Sequence, residues 1–177
     1  MSDLGFKTLS PENWLEPEPV MSALKTISLN DSTVSHISRD QWLSRFLKAQ
    51  LDSAVPLEIR KLFEVARGAA TYGYFFYPLY TLAGQQLYRV AETAISIKCK
   101  SLGTTRREVR TFQDKISFLQ EQNVIPQHDW IWWDSIRRLR NYSSHPKHQT
   151  IVFPQDTLYD LSSVAKHIND LFDERAV

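Results

Sequence analysis

The sequence predicts an all-α protein, a helical bundle of about five or six helices. Three observations lead there. Apolar residues recur at three- and four-residue intervals through most of the chain after residue 38. Prolines fall where helices would begin. Only Thr150 to Phe153 strings together β-favouring residues, and that run is too short to build a sheet.

The elements follow in chain order. Residues 1–37 mix prolines (Pro11, Pro17, Pro19), acids (Glu12, Glu16, Glu18) and a Ser/Asn/Asp/Thr-rich patch without a sustained helical period, so they read as an N-terminal arm, partly ordered at best. Its apolar residues Trp14, Leu15 and Val20 either pin it to the domain or a partner, or belong to a loose leader. The helical domain occupies residues 38–177. Ser38 with Gln41 is a capping box that opens a helix to about residue 52, with Trp42, Leu43, Phe46, Leu47 and Leu51 on its apolar side. Pro56 starts a second, carrying Ile59, Leu62, Phe63, Ala66 and Ala70 up to the aromatic run YGYFFYPLY. From Pro78 a third helix of about 24 residues runs to a stop at Gly103.

At about 100° per residue, Leu79, Leu82, Ala83, Leu87, Val90, Ala94 and Ile97 form one stripe of this third helix. Gly84, Tyr88, Ala91, Ile95 and Cys99 extend it round a second side, leaving a narrow solvated strip of Gln85, Arg89, Ser96 and Lys100. A helix apolar over more than half its circumference is central to a bundle or shared with a second subunit. Glu92 falls at the edge of the second side, and a partly buried carboxylate there needs a cation or hydrogen-bond donors. The TTRREVR stretch is a basic loop. A short fourth helix spans about Thr111 to Gln122, a fifth about Pro126 to Ser143, and the last starts near Pro154. On the fifth, Trp132, Ile136, Leu139 and Ser143 define the expected inward stripe; Arg140 borders it and Arg138 points away.

Composition narrows the function. A chain of 177 residues with 42% hydrophobic and 23% charged residues is long enough for one core without disulfides or metals. Its net charge of +1 gives no bulk attraction to nucleic acid, so any such site is local. Cys99 is the only cysteine, which excludes an intrachain disulfide and a multi-cysteine zinc site and fits a reducing compartment. With no signal-peptide pattern in the first residues and no apolar run near the roughly 20 residues of a membrane span, a cytoplasmic, soluble protein is expected.

Local charge is concentrated in RRLRNYSSHPKHQ, Arg137 to Gln149. Arg140 needs an anion, and Glu92 is the best internal candidate. Pro146 biases His145 away from helical geometry, placing an Arg and a His about one turn apart at the helix end. The bland alternative is that the arginines complement the helix dipole and His145 caps carbonyls. His145, Pro146, Lys147, His148 lacks the geometry of a zinc protease, the glycines form no phosphate-cradling loop, and Cys99 has no obvious activating neighbour. No metal or cofactor is expected.

The stretch EVARGAATYGYFFYPLYTLAGQQLYRVAETAISIKCKSLG, followed by FQDKISFLQEQNVI and IRRLRNYSSHP, resembles the HEPN superfamily, the higher eukaryote and prokaryote nucleotide-binding domains, in particular its stand-alone bacterial branch. The resemblance covers roughly residues 57 to 172. The family's motif is an Arg, a polar residue directly after it, and a His with four to six residues between; Arg140, Asn141 and His145 match it, and Glu92 takes the place of an acidic residue that often accompanies it. The resemblance implies metal-independent RNA cleavage at a composite site of a homodimer, in a toxin or an effector of defence against phage, restrained by a neutralising or regulatory protein partner. The residue types suit that chemistry, since imidazole titrates near neutrality and Arg holds two phosphate oxygens at once. Asn141 would orient the His, bind ribose or phosphate, or cap the helix. Tyr142 and Ser144 line the groove or only pack. Arg106, Arg107, Arg110, Arg137 and Lys147 track RNA phosphates or form a solvated face, and His148 is a second imidazole or a turn residue. Trp130, Trp132 and Trp133 stack bases or belong to the core. The rival is a non-catalytic HEPN module that binds nucleotide or RNA or docks a protein.

Overall fold

The computed structural model describes residues 5–27, 34–105, 107–144 and 150–173, and these are mostly helical. A short α1 (Pro19–Ala23) is followed by two three-residue strands, β1 (Lys25–Ile27) and β2 (Val34–His36). The strands pair antiparallel with Lys25 opposite His36. The bundle proper comprises α2 (Arg39–Phe46), α3 (Leu57–Tyr72), α4 (Leu79–Ser101), α5 (Phe112–Glu121), α6 (Trp130–Ser143) and α7 (Pro154–Phe172), with a 3-10 turn, Gln127–Asp129, leading into α6. No helix among the described residues is long and apolar enough to cross a membrane.

The local rules that start and stop these helices are visible in the side chains. Ser38 accepts from the Gln41 N–H while the Gln41 side chain accepts from the Ser38 N–H, so the expected capping box forms. Thr111 and Asp114 build a second box at α5. Gly103, at φ +83°, ends α4 in the left-handed region that a Cβ disfavours. The aromatic turn before α4 needs another glycine for a different reason: a Cβ on Gly73 would lie 2.6 Å from the buried Tyr80 ring.

Helix α4 is the axis of the bundle. It packs against α3, α5, α6 and α7, which accounts for its two apolar sides within one chain. Ala83, Leu87, Val90, Ala91, Ala94, Ile95 and Cys99 are all buried. Leu82, expected on the inward stripe, is 52% exposed, and Tyr80 is buried in its place, stacked on Phe46 and edge-on to Trp42 and Tyr77. On α6 the phase also differs from expectation. Trp133, Asp134 and Ile136 are the buried residues, while Leu139 is exposed. Trp132 lies flat on His167 of α7 with ring centroids 3.7 Å apart, and Trp130 packs against the core. The three tryptophans of α6 therefore belong to packing.

The described part of the arm is seated on the aromatic turn, and through residues other than those singled out in the sequence. Trp14, Leu15 and Val20 are exposed. Met21 is buried, and Phe6 meets Phe76 edge-on at 5.8 Å. Glu18, 2% exposed, accepts from the Lys7 N–H at 2.7 Å and from the Tyr77 N–H at 3.2 Å, while its own N–H donates to the Tyr74 carbonyl. A buried carboxylate is tolerated here because backbone donors replace its water.

Candidate functional site

The C-terminal half of α6 runs beside the middle of α4, and this is where the Arg and Glu singled out in the sequence meet. Arg140 donates from Nε to Glu92 Oε2 at 2.8 Å and from Nη2 to Oε1 at 3.4 Å, a side-on pair in which the two side chains are 37% and 26% exposed. The carboxylate fixes the plane of the guanidinium. Nη1 donates to Asn141 Oδ1 at 3.4 Å, so Asn141 braces the same group from its own helix. Of the five N–H groups of a guanidinium, these bonds occupy three. The remaining two make no hydrogen bond among the described residues.

The end of α6 is closed by serines. The Arg140 carbonyl accepts from the hydroxyls of Ser143 and Ser144, each at 2.9 Å, and from the Ser144 N–H at 3.1 Å. His145, Lys147 and His148, like Arg106, lie outside the described residues.

Tyr88, one turn before Glu92 on α4, and Leu139 and Ser143, on either side of Arg140 along α6, help to line a groove of about 400 Å³. Its walls include Leu82, Gln85 and Tyr88 from α4, Leu139, Tyr142 and Ser143 from α6, and Thr150 and Val152 from the segment that enters α7. Tyr142, 74% exposed, stands at its edge. Ser144, expected with Tyr142, is engaged with the helix end instead. Tyr88 ties the groove to α7 by donating its hydroxyl to Asp160. Burial, with the nearby Asp156 charge, pushes the Asp160 carboxyl up to about 6, partly offset by that hydrogen bond. Burial and the Asp160 charge push the Tyr88 phenol up to about 12.

The other arginines of α6 have a partner the sequence reading missed. Asp134 accepts from Arg137 Nε at 2.8 Å and from Arg138 Nε at 2.8 Å, and Arg137 Nη2 lies 2.7 Å from the same carboxylate. Burial pushes the Asp134 carboxyl up, but the hydrogen bonds and charges of the two arginines outweigh it and its pKa is lowered. Arg137 is thus committed to its own helix, away from Arg140. The signal was present in the sequence, an acid three and four residues before two arginines. Among the described residues no cluster of His, Cys, Asp and Glu is arranged to hold a metal ion.

The family described as Domain of unknown function (DUF4145) matches residues 71–176, and the chain belongs to it. The matched region contains Glu92, Arg140, Asn141 and His145 together. No curated protein and no solved structure matches the chain.

Proposed function

We propose that this protein is a metal-independent endoribonuclease of the HEPN type, acting as a homodimer in which two copies of the Arg140 and His145 motif form one composite site. The observation that carries the reading is the Arg140–Glu92 pair. It holds a guanidinium in a fixed plane between the groove-lining residues Leu139 and Ser143 of α6, five positions before the histidine of the motif.

The chemistry assigns each group a task. The ribose 2′-oxygen attacks the adjacent phosphorus and the bond from phosphorus to the 5′-oxygen breaks, leaving a 2′,3′-cyclic phosphate. A base takes the proton from the 2′-hydroxyl, and an acid gives one to the departing 5′-oxygen. The two copies of His145 in a dimer supply base and acid. Arg140 neutralises charge growing on the non-bridging oxygens, Glu92 and Asn141 hold it in place, and the cation is preorganised before the substrate arrives. Tyr142 and Ser143 flank the strand in the groove. Restraint by a neutralising protein partner, and a role as a toxin or in defence against phage, belong to the same reading.

A second reading has one observation in its favour. Glu92 already satisfies two donors of Arg140 in the free protein, as a purely structural bridge between α4 and α6 would. On that reading the protein is a non-catalytic module that binds RNA or nucleotide, or docks a protein. Incubating total RNA with wild type and Arg140→Ala in EDTA separates the two. Cleavage by the wild type and a loss of at least 100-fold in the variant supports the nuclease. Equal behaviour of the two proteins contradicts it.

A further inference from the structure

A second cavity lies further along α4, on the same face as Glu92. It measures about 440 Å³ and is lined by Ser96, Lys100, Thr104, Val109, Arg110 and Lys115, with Cys99 and Thr105 completing the wall. Three of the lining residues are cationic and none is a carboxylate. A cavity of that composition favours an anion.

The neighbouring hydrogen bonds sharpen the assignment. Lys115 Nζ donates to Ser96 Oγ at 2.9 Å, leaving two of its three N–H groups, and no carboxylate pairs with it among the described residues. The acids nearest in the chain hold backbone donors: Glu108 accepts from the Thr105 N–H and hydroxyl, and Asp114 from the Thr111 and Arg110 N–H groups. The negative end of α4 is also screened. The Cys99 carbonyl accepts from the Thr104 hydroxyl and N–H, and the Lys98 and Lys100 carbonyls accept from Leu102 and Gly103. Burial pushes the Cys99 thiol up to about 11, so it stays neutral. Arg110 feels the charge of the Asp114 carboxylate, whereas Lys100 and Lys115 line the cavity with no carboxylate paired to them among the described residues.

The position relates this cavity to the candidate site. Ser96 lies one turn after Glu92 and donates its hydroxyl to the Glu92 carbonyl at 2.7 Å. One helical turn advances about 5.4 Å. Lys115, on α5, thus reaches through Ser96 the turn of α4 that follows Glu92. We infer that this cavity is a phosphate-binding subsite formed by Lys100, Arg110 and Lys115. Resting on the ribonuclease reading, its natural occupant is a phosphodiester of the RNA strand adjacent to the one held by Arg140.

The test has two arms, both on the full chain. Inorganic phosphate is titrated against chloride at constant ionic strength while the amides of Thr104, Thr105, Val109 and Lys115 are followed by NMR. Saturable shifts that disappear in the Lys115→Gln, Arg110→Gln double variant are expected. Shifts that are absent, or that persist in the variant, overturn the subsite. In the second arm a fluorescein-labelled single-stranded RNA oligonucleotide is bound at several salt concentrations. Loss of one to two phosphate contacts should weaken binding about 10-fold at low salt and flatten the logarithmic salt slope by about 0.7 to 1.4. Unchanged RNA affinity and slope in the variant overturn the RNA assignment of the cavity even if cleavage by the wild type upholds the ribonuclease. Phosphate shifts in a protein that binds no RNA uphold the subsite and sink the ribonuclease instead.

Discussion

Arg140 Nε and Glu92 Oε2 are 2.8 Å apart, joining the end of α6 to the middle of α4 across 48 residues of sequence. The pair is half-sheltered, between the exposed ion pairs that contribute little and the buried ones whose disruption is costly. Glu92→Gln should therefore cost about 1–2 kcal/mol of stability in urea unfolding. Cleavage should fall much further than stability, because the guanidinium loses its fixed plane. A loss of activity no larger than the loss of folded protein would reduce the pair to a structural bridge.

The arm makes a separate prediction. Removing the Glu18 carboxylate leaves the Lys7 and Tyr77 N–H groups without an acceptor in a buried setting. Glu18→Ala should destabilise the protein by about 1–3 kcal/mol. It should also expose residues 5–27 to limited proteolysis before the helical bundle is cut. An unchanged urea midpoint would show that the arm contributes nothing to the fold.

Asp160 predicts a pH dependence. Its native carboxyl titrates near 6 against an ordinary value of 3.8. Between those values the folded state holds a proton that the unfolded chain has released, so stability falls as pH rises through the window. Below it the effect is absent, and above pH 6 it is complete. Asp160→Asn, which still accepts from Tyr88, should gain about 1 kcal/mol on the wild type at pH 7, a partial figure because the carboxylate keeps some hydration, and nothing near pH 3.5. Unfolding curves across the range check this, and a constant difference would contradict it.

Much of this architecture was legible in the sequence because its signals are local. The Ser38–Gln41 box, the Gly103 stop and the Pro154 start each act through neighbours a few residues away. What was hidden depends on phase or on distant partners. Trp130, Trp132 and Trp133 spread aromatic character over much of α6, so periodicity alone placed Trp132 and Leu139 inward where the fold buries Trp133 and Asp134. Strands β1 and β2 are three residues each, with Lys25, Thr26, Ser35 and His36 giving no apolar alternation to read. Glu18 looked like one more acid of a polar leader, since its acceptor role is set by the Tyr77 N–H, 59 residues away. The Arg140–Glu92 contact was legible because each residue stood at the border of an apolar stripe and required a counter-charge.

The composite site requires two chains. Light scattering at micromolar concentration should give a dimer of the 20.6 kDa chain. A monomer under those conditions would contradict the division of base and acid between two copies of His145, leaving the single-chain groove to a binding role.

The most direct test of the Arg140 and His145 assignment is end-group analysis of RNA cleaved in EDTA. Purified wild type and His145→Ala are compared on total RNA and on tRNA, with circular dichroism confirming that both are folded. The account predicts products ending in 2′,3′-cyclic phosphate from the wild type and none from the variant. Cleavage by the folded variant at the wild-type rate, or wild-type products ending in a 3′-hydroxyl, would contradict it.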